Sequence, residues 1–371
     1  MIQNYDKITK VLATSLGLTS EELVRCYSRA TVADIAAICE LMCLGFGVVD
    51  NLSPEVIAWR YFTFSKNVSD IFVLRYKGNL IGAVGAEPIS VKVGDKEYQG
   101  VRAADIVVHP DHGKRGIGFW MNLHLQYTFP IVMAMGSNEK SDTMVRRLFK
   151  PMNCRHHFKI LFSVKGYFAL RGWSPLAIKI ADLLATLPLA IIRRTSSQSL
   201  PPDFTISEHN NSDGLDALFN NPNYQPRDAS IALRSSEYCR WRYDLNPKSR
   251  FTILQLHNHN KLVGYLVLKK DLTTCSKDWQ LMDWDLLPQL RDQQHVQLLF
   301  SAAIDAAIKD GAYSLSVLAS DELSCTSLRK TGFSQRAVDD GFFLWAQDSV
   351  ARDVLNEKQW FLSLCDTDES L

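Results

Sequence analysis

The segment of residues 103–120, AADIVVHPDHGKRGIGFW, decides the fold of this chain. An apolar strand runs into a loop with three glycines, and the loop runs into a helix that begins near Ile117. Glycine lets a backbone approach an anion closely, and the free amides of a helix's first turn attract negative charge. Lys114 and Arg115 add positive charge beside the loop. The segment therefore predicts a binding site for a phosphate group.

Two well-known phosphate-binding motifs do not match this loop. No Gly-Lys-Ser/Thr sequence follows it, and its glycine spacing and context differ from those of the Rossmann fingerprint. Outward from the loop, apolar runs bounded by turn residues predict strands at 24–30, 70–76, 80–89, 102–108 and 131–135, with helices after residues 31, 117 and 142. This order predicts a mixed sheet with helices on its faces.

The second half of the chain repeats the first. The tripeptide WRY at 59–61 recurs at 241–243, and Gly82 recurs as Gly264, both at an offset of 182 residues. Two matches at one offset indicate two copies of one fold.

The copies then diverge, because Asp105 fits best with Asp283 and about four residues are missing from the second copy. The predicted organisation is an appended helical segment at 1–23, a first domain at 24–172, a connecting helix and linker at 173–200, a second domain at 201–350 and a tail at 351–371.

The segment resembles the pattern V-H-P-D-x-x-x-x-G-I-G of the GNAT superfamily of acyl-CoA-dependent N-acyltransferases. The repeat resembles tandem-GNAT proteins, some of which are associated with bacterial polysaccharide biosynthesis. The resemblance covers about residues 24–350. It implies an α/β protein of the α+β type, with two tandem GNAT-like folds. Each would be a mixed, mostly antiparallel, twisted sheet flanked by helices.

The resemblance also implies acetyl-CoA as the acyl donor. The end of the first strand would splay from its neighbour, pair with the pantetheine arm and donate an amide to the oxyanion. The implied cofactor-binding residues are Ile106, Val107 and Val108 on this strand, Gly113, Lys114, Arg115, Gly116, Ile117 and Gly118 for the pyrophosphate, and Asn138 beside the arm.

The sequence departs from the family pattern at several points. Gly113 and Lys114 exchange the basic residue and the glycine usual in the loop, and Val145 falls near the place of a Tyr that protonates the leaving thiolate. The equivalent run of the second copy, LMDWDLLPQLRDQQ at 281–294, contains no glycine. We therefore expect no CoA in that domain, which would instead shape the acceptor site.

Attack by an amine requires a base, because the amine must be neutral. Asp105, on the strand beside the expected thioester, and Glu87, on the preceding strand, are the candidates. The alternatives are a structural carboxylate bonded across the sheet for Asp105 and a solvated or ion-paired group for Glu87. Arg60 and Arg242 occur in both copies whereas the glycine loop does not, which favours a structural role for them.

The favoured function is acyl transfer from acetyl-CoA to a primary amine by direct attack on the thioester. The acceptor would enter between the two domains, and the resemblance favours an amino sugar. Other acceptors stay possible, namely aminoglycosides, polyamines and peptide N-termini, and so does a longer acyl donor. A further alternative is that the chain is a catalytically idle CoA-binding or scaffold protein.

Composition and local sequence limit the possible partners, the compartment and the metal content. With 41 basic and 40 acidic residues the net charge is +1, which argues against nucleic acid. The start of the chain lacks a signal-peptide core, which indicates the reducing cytoplasm. Cys39 and Cys43 are four apart, but two small core residues are expected there, and no metal site is predicted. The apolar run near 174–193 is interpreted as a buried connecting helix, with a helix on a membrane surface as the alternative.

Overall fold

The computed structural model describes residues 2–47, 52–65, 69–136, 141–196, 200–225, 227, 230–270, 277–337, 341–356 and 360–367. Its contacts divide the chain into two compact units. The first comprises Met1–Asn153 and Asp340–Glu357, and the second comprises Cys154–Asp339 and Lys358–Leu371. Each unit is therefore built from two separate stretches of chain.

The helices are α1 (Ile2–Leu16), α2 (Ser20–Arg25), α3 (Ile35–Phe46), α4 (Pro54–Phe62), α5 (Ile117–Thr128), α6 (Asp142–Leu148), α7 (Lys165–Leu170), α8 (Pro175–Ser196), α9 (Asp216–Phe219), α10 (Ser236–Cys239), α11 (Gln293–Lys309), α12 (Glu322–Lys330) and α13 (Asp348–Val354). The strands are β1 (Tyr27–Arg29), β2 (Ile71–Tyr76), β3 (Asn79–Val93), β4 (Lys96–Val108), β5 (Ile131–Met135), β6 (Lys150–Met152), β7 (His156–Leu161), β8 (Phe204–His209), β9 (Ser230–Ala232), β10 (Arg250–Asn258), β11 (Lys261–Lys270), β12 (Asp278–Leu286), β13 (Ser314–Ala319), β14 (Ser334–Arg336), β15 (Phe342–Ala346) and β16 (Trp360–Phe361).

The sheet of the first unit has the strand order β1-β2-β3-β4-β5-β15-β6, and that of the second has the order β14-β7-β13-β12-β11-β10-β8. The central pairs β4–β5 and β12–β13 are parallel, whereas the flanking pairs are antiparallel. The predicted fold class, two mixed and mostly antiparallel sheets flanked by helices, is confirmed.

The two sheets exchange their last strands. β15, near the end of the chain, pairs with β5 and β6 of the first unit. β7, which follows the first copy in sequence, pairs with β13 and β14 of the second unit. The bounds therefore differ from the expected 24–172 and 201–350, because each copy supplies a strand to the sheet of the other.

Strand register supports the alignment of the two copies. Gly82 pairs with Val108, 26 residues further on. Gly264 pairs with Leu286, 22 residues further on. The second copy is thus four residues shorter between equivalent positions, as predicted from the match of Asp105 with Asp283.

Helices cover both faces of the first sheet. Leu12 and Leu16 of α1 pack with Trp120 and Leu125 of α5 on one face. On the other face, α3 and α4 pack against the sheet, with Tyr61 and Val107 in one buried cluster. Burial of this apolar surface on both faces fixes the central strands between two helical layers.

The N-terminal segment is helical, as expected, but it is part of the core of the first unit. Tyr5 of α1 is buried, and its ring stacks on that of Tyr127 with centroids 4.6 Å apart. The indole nitrogen of Trp120 donates to Thr9 Oγ1 at 2.9 Å. Helix α1 therefore packs on α5 as part of the first unit and is not an appended segment.

The interpretation of residues 174–193 as a buried helix is wrong for the side chains that the structure describes. From Arg171 to Ala185 every side chain is half-buried or exposed, and Leu183 and Leu184 are each 74% exposed. Within the described part of the chain, no helix is both long and apolar enough to cross a membrane.

Candidate functional site

Strand β4 departs from regular pairing at Asp105. Ala83 of β3 pairs with Val107 and Gly85 pairs with Ala104, so two residues of β4, Asp105 and Ile106, lie opposite one residue of β3. The φ angle of Asp105 is 46°, a left-handed conformation that costs a non-glycine residue about 1–2 kcal/mol. This is a β-bulge, which bends a strand and redirects its side chains.

Just before the bulge, β4 stops pairing with β5. The parallel register joins Val101–Ala103 to Val132–Ala134, whereas β4 continues to Val108. Strand β5 ends at Met135, so the backbone of Ile106, Val107 and Val108 extends past the paired part of its neighbour. The splay that the resemblance implied at these residues stays a prediction.

The loop after β4 places a helix N-terminus just after this strand. Pro110–Arg115 form a 3-10 turn, and Gly116 is left-handed with a φ of 76°. No side chain caps α5, and its first bond runs from the amide of Trp120 to the carbonyl of Gly116 at 3.0 Å. The three preceding amides, of residues 117–119, have no acceptor within the helix.

Two glycines of the loop face open space. A Cβ atom at Gly113 or at Gly116 would meet no atom within 4 Å. Lys114 is exposed in the same turn, while Arg115 donates to the carbonyl of Ser15, near the C-terminus of α1, at 2.7 Å. The loop therefore combines room, free amides and positive charge. Asn138 lies outside the described residues.

Both candidate bases belong to one buried ionic cluster, which we call the bulge cluster: Arg60, Tyr61, Glu87, Arg102 and Asp105. Arg60 donates to Glu87 and, at 2.7 Å, to Asp105 Oδ2. Arg102 also donates to Glu87, its partner across the β3–β4 pair. The Tyr61 hydroxyl donates to Asp105 Oδ2 at 2.7 Å. Two guanidiniums thus balance two carboxylates.

Helix α4 positions the first two members of the bulge cluster. Ser53 caps it by accepting from the amide of Val56 at 3.4 Å, and Pro54 occupies its first turn. The Tyr61 ring lies against Gly85 so closely that a Cβ there would approach it to 2.6 Å. Glycine at this point of β3 is what lets the helix carry Arg60 and Tyr61 up to the bulge.

The two carboxylates differ in access. The side chain of Glu87 is 6% exposed and that of Asp105 is 19% exposed. Sequence reasoning assigned Arg60 a structural role and did not single out Tyr61 or Arg102. The repeated WRY tripeptide could have drawn attention to Arg60 and Tyr61, because these two polar residues of one helix turn recur together.

A further buried carboxylate, not foreseen from sequence, lies at the start of β2. Asp70 is 2% exposed and stands 3.7 Å from Arg29. Burial raises the pKa of this carboxyl group to about 6, because a desolvated charge is unfavourable. Its amide donates to the carbonyl of Tyr61 at 2.8 Å, which ties it to the end of α4.

The equivalent region of the second unit has a different chemistry at the helix N-terminus. Asp292 caps α11, and its carboxylate accepts from the amide of His295 at 3.0 Å. An acidic cap occupies the free amides and repels phosphate. Arg291, the nearest basic residue, pairs with Asp285 at 3.2 Å.

The second unit also has a β-bulge, between the pairs Val267–Asp283 and Leu268–Leu281, and the space beside it is occupied by other side chains. Asp283, the counterpart of Asp105, is 1% exposed, and burial raises the pKa of its carboxyl group. It accepts from Arg234 at 3.1 Å, Tyr265 at 2.9 Å and Ser363 at 3.0 Å. Ser363 comes from the C-terminal segment of the chain, so this segment occupies the space beside the bulge.

No group of three His, Cys, Asp or Glu side chains suited to a metal ion occurs in the described ranges. The sequence matches no family model, and no curated protein is significantly similar to it.

Solved structures share the fold. A GCN5-related N-acetyltransferase from Anabaena variabilis superposes with a TM-score of 0.56 at 12% identity, over 86% of this chain and 71% of that one. One from Kribbella flavida gives a TM-score of 0.56 at 10% identity, over 88% and 71%. The Saccharomyces cerevisiae N-myristoyltransferase, solved with bound myristoyl-CoA, gives 0.54 at 11% identity, over 86% and 82%.

Proposed function

We propose that this chain, which carries the fold of the GCN5-related N-acetyltransferases in two copies, is an acyl-CoA-dependent N-acyltransferase. One observation carries the proposal. In the first unit, a helix N-terminus without a side-chain cap follows a strand that extends beyond the paired part of its neighbour. The first feature suits a pyrophosphate, and the second suits an extended arm that needs backbone partners.

The cofactor-binding residues follow from this geometry. Amides from Gly113 to Gly118 would hold the pyrophosphate, with Lys114 adding charge. The open edge of Ile106–Val108 would pair with the pantetheine arm, and an amide at the bulge would stabilise the oxyanion of the tetrahedral intermediate. The second unit would bind no CoA, because Asp292 occupies the corresponding helix terminus.

The two carboxylates would divide their roles. Asp105, the more exposed one, lies where pairing of β4 with β5 has ended and would accept the proton of the attacking amine, directly or through water. Glu87 is held between Arg60 and Arg102 and would act as a positioning residue that fixes Arg60. As the C–N bond forms and the C–S bond breaks, the acyl carbon passes from sulfur to nitrogen and the thiolate leaves.

The acyl donor is proposed to be acetyl-CoA and the acceptor a primary amine, with an amino sugar as the first class to screen. The amine of a sugar is less basic than that of a lysine side chain, so a larger fraction of it is already neutral near pH 7.

The test is calorimetric titration of acetyl-CoA and of CoA into the wild-type chain and into Gly116→Glu. The new carboxylate would stand in the open space before the helix amides and repel the pyrophosphate. Gly94→Glu is the matched control: Gly94 is also left-handed, with a φ of 57°, and also faces open space, but it lies in the β3–β4 turn.

The proposal expects one site per chain, lost in Gly116→Glu and kept in Gly94→Glu. Turnover with an amino sugar, detected as released thiol, would then establish the enzyme. No binding by the wild type, or binding unchanged in Gly116→Glu, refutes the cofactor site. Tight binding without transfer to any amine would favour the alternative, an idle CoA-binding protein.

A further inference from the structure

Helices α7 and α8 form a hairpin that carries an exposed apolar stripe. Four large side chains lie at helical spacing on α8 and are exposed: Leu176 by 69%, Ile180 by 52%, and Leu183 and Leu184 by 74% each. Residues at this spacing share one face of a helix. A contiguous apolar face of this kind on a folded protein marks an interaction surface.

Aromatic side chains extend the stripe at the corner of the hairpin. Tyr167 is 50% exposed and Trp173 is 47% exposed. The Trp173 ring packs on that of Phe168 with centroids 4.1 Å apart, so it is held in place at the surface. Tyr and Trp, apolar rings with one polar group, are the residues favoured at the boundary between lipid and water.

The charges described around the stripe are mostly positive. Residues 165–185 contain three basic residues, Lys165, Arg171 and Lys179, and one acidic residue, Asp182. The carboxylate of Asp182 is already paired, with Lys165 at 3.1 Å and with the Ser163 hydroxyl at 2.7 Å. Arg171 lies over the Tyr167 ring at 4.1 Å. The hairpin therefore presents apolar groups with cations beside them.

The positive charge beside the stripe favours an anionic bilayer over a second copy of the chain as its partner. A symmetric contact between two copies would bring Lys179 and Arg171 of each copy towards the cations of the other, without a free acid on the hairpin to offset them. An anionic bilayer instead offers negative headgroups beside the cations and an acyl layer for the stripe. Long basic side chains can reach the headgroups while their stems stay apolar.

We propose that the α7–α8 hairpin is a membrane-surface docking element, on which α8 lies in the plane of an anionic phospholipid bilayer with Leu176, Ile180, Leu183 and Leu184 inserted. The proposal does not rest on the acyltransferase function. Helix α8 would lie on the membrane without crossing it, since insertion of such a face reaches about 5–10 Å, to the base of the headgroups.

The test is co-sedimentation of the full chain with vesicles of phosphatidylcholine mixed with phosphatidylglycerol, compared with vesicles of phosphatidylcholine alone. Leu184→Glu is the test variant. Leu245→Glu is the matched control, because Leu245 is also exposed, by 51%, and lies outside the hairpin. Circular dichroism checks that both variants fold, and light scattering reports the oligomeric state of each.

We expect binding to the anionic vesicles that falls with added salt, about tenfold weaker binding for Leu184→Glu, and no change for Leu245→Glu. Trp173→Phe should lose the blue shift of fluorescence that vesicles induce in the wild type. Sedimentation that does not exceed that with phosphatidylcholine alone, or that is equal in Leu184→Glu, overturns the proposal. So does a wild-type dimer that ignores vesicles and that Leu184→Glu separates, since the stripe would then belong to a second copy.

Discussion

The hydroxyl group of Tyr61 donates to Oδ2 of Asp105 across 2.7 Å, and Arg60, its neighbour on α4, donates to the same oxygen at 2.7 Å. Asp105 is also the residue of β4 that adopts a left-handed backbone. Two donors from one helix turn therefore hold the side chain of the bulged residue. Pairing of β4 with β5 ends two residues before Asp105, so α4 holds β4 at the point where it extends past the paired part of β5.

Replacing Tyr61 by Phe tests this hold on the bulge. The substitution removes a buried donor to a carboxylate while keeping the ring against Gly85. We expect the free energy of unfolding to fall by about 1.5–3 kcal/mol, the typical worth of a hydrogen bond to a charged group. Urea denaturation measures it. Tyr127→Phe is the control, since Tyr127 is 55% exposed, and an equal loss there would contradict the assignment.

Replacing Asp105 by Asn separates a catalytic role from a structural one. Asn tolerates the left-handed backbone and can still accept from Arg60 and Tyr61, but it cannot take a proton. Loss of the charge that pairs with the buried Arg60 should also lower stability. If Asp105 is the base, kcat of the folded variant should nevertheless fall by about a hundredfold or more. Steady-state kinetics beside urea denaturation decide this. Unchanged kcat in a folded variant would exclude the role of base.

Replacing Glu87 by Gln tests the ionic balance of the bulge cluster. Arg60 and Arg102 would remain buried with one carboxylate fewer, and breaking a buried pair in this way costs about 3–5 kcal/mol. The same urea measurement applies, with the exposed Glu97→Gln as the control. A loss below about 1 kcal/mol would show that water reaches the cluster and compensates the guanidiniums.

Local chemistry made the segment around the loop predictable. Helix α5 begins at Ile117 and β5 spans Ile131–Met135, both as expected from sequence. Proline fixes φ and lacks an amide donor, and glycine adopts backbone conformations that other residues rarely reach, so both mark element ends. The repeat was recoverable for a similar reason, since the matching tripeptides occupy helical turns at equivalent points of the two copies.

Pairing between distant segments was not predictable in the same way. Strand β7 was not predicted from the sequence, and nothing in the pattern of residues 156–161 indicates that its neighbours are β13 and β14. The exposure of α8 was not predicted, because the apolar sequence pattern of a helix is the same whether its face is buried or exposed. Likewise, Arg60 acquires its partners only once α4 lies on the sheet.

His124 gives the last prediction, which concerns the dependence of stability on pH. Its ring lies among aromatic groups of α1, β1 and α5, and its Nδ1 is 2.6 Å from the Tyr5 hydroxyl. Burial lowers the pKa of His124 from 6.5 to about 4. The unfolded chain therefore binds a proton at a higher pH than the folded chain does. Stability from this group is complete above about pH 6.5 and is lost as the pH falls towards about 4.

The loss should approach about 3 kcal/mol at pH 4, because folding lowers the pKa of His124 from 6.5 to about 4 and each unit is worth about 1.4 kcal/mol. Asp70 has the opposite effect on the free energy of unfolding. Its pKa is raised to about 6, so the folded state binds this proton more tightly and gains stability as the pH falls.

The effects of His124 and Asp70 partly cancel in the wild type, so His124→Gln is required to separate them. Gln keeps a polar partner for Tyr5 without titrating. The free energy of unfolding of the variant, measured against pH, should decline less between pH 6.5 and 4 than that of the wild type. Parallel curves would show that His124 titrates alike in the folded and unfolded chains and that the aromatic cluster does not shield it.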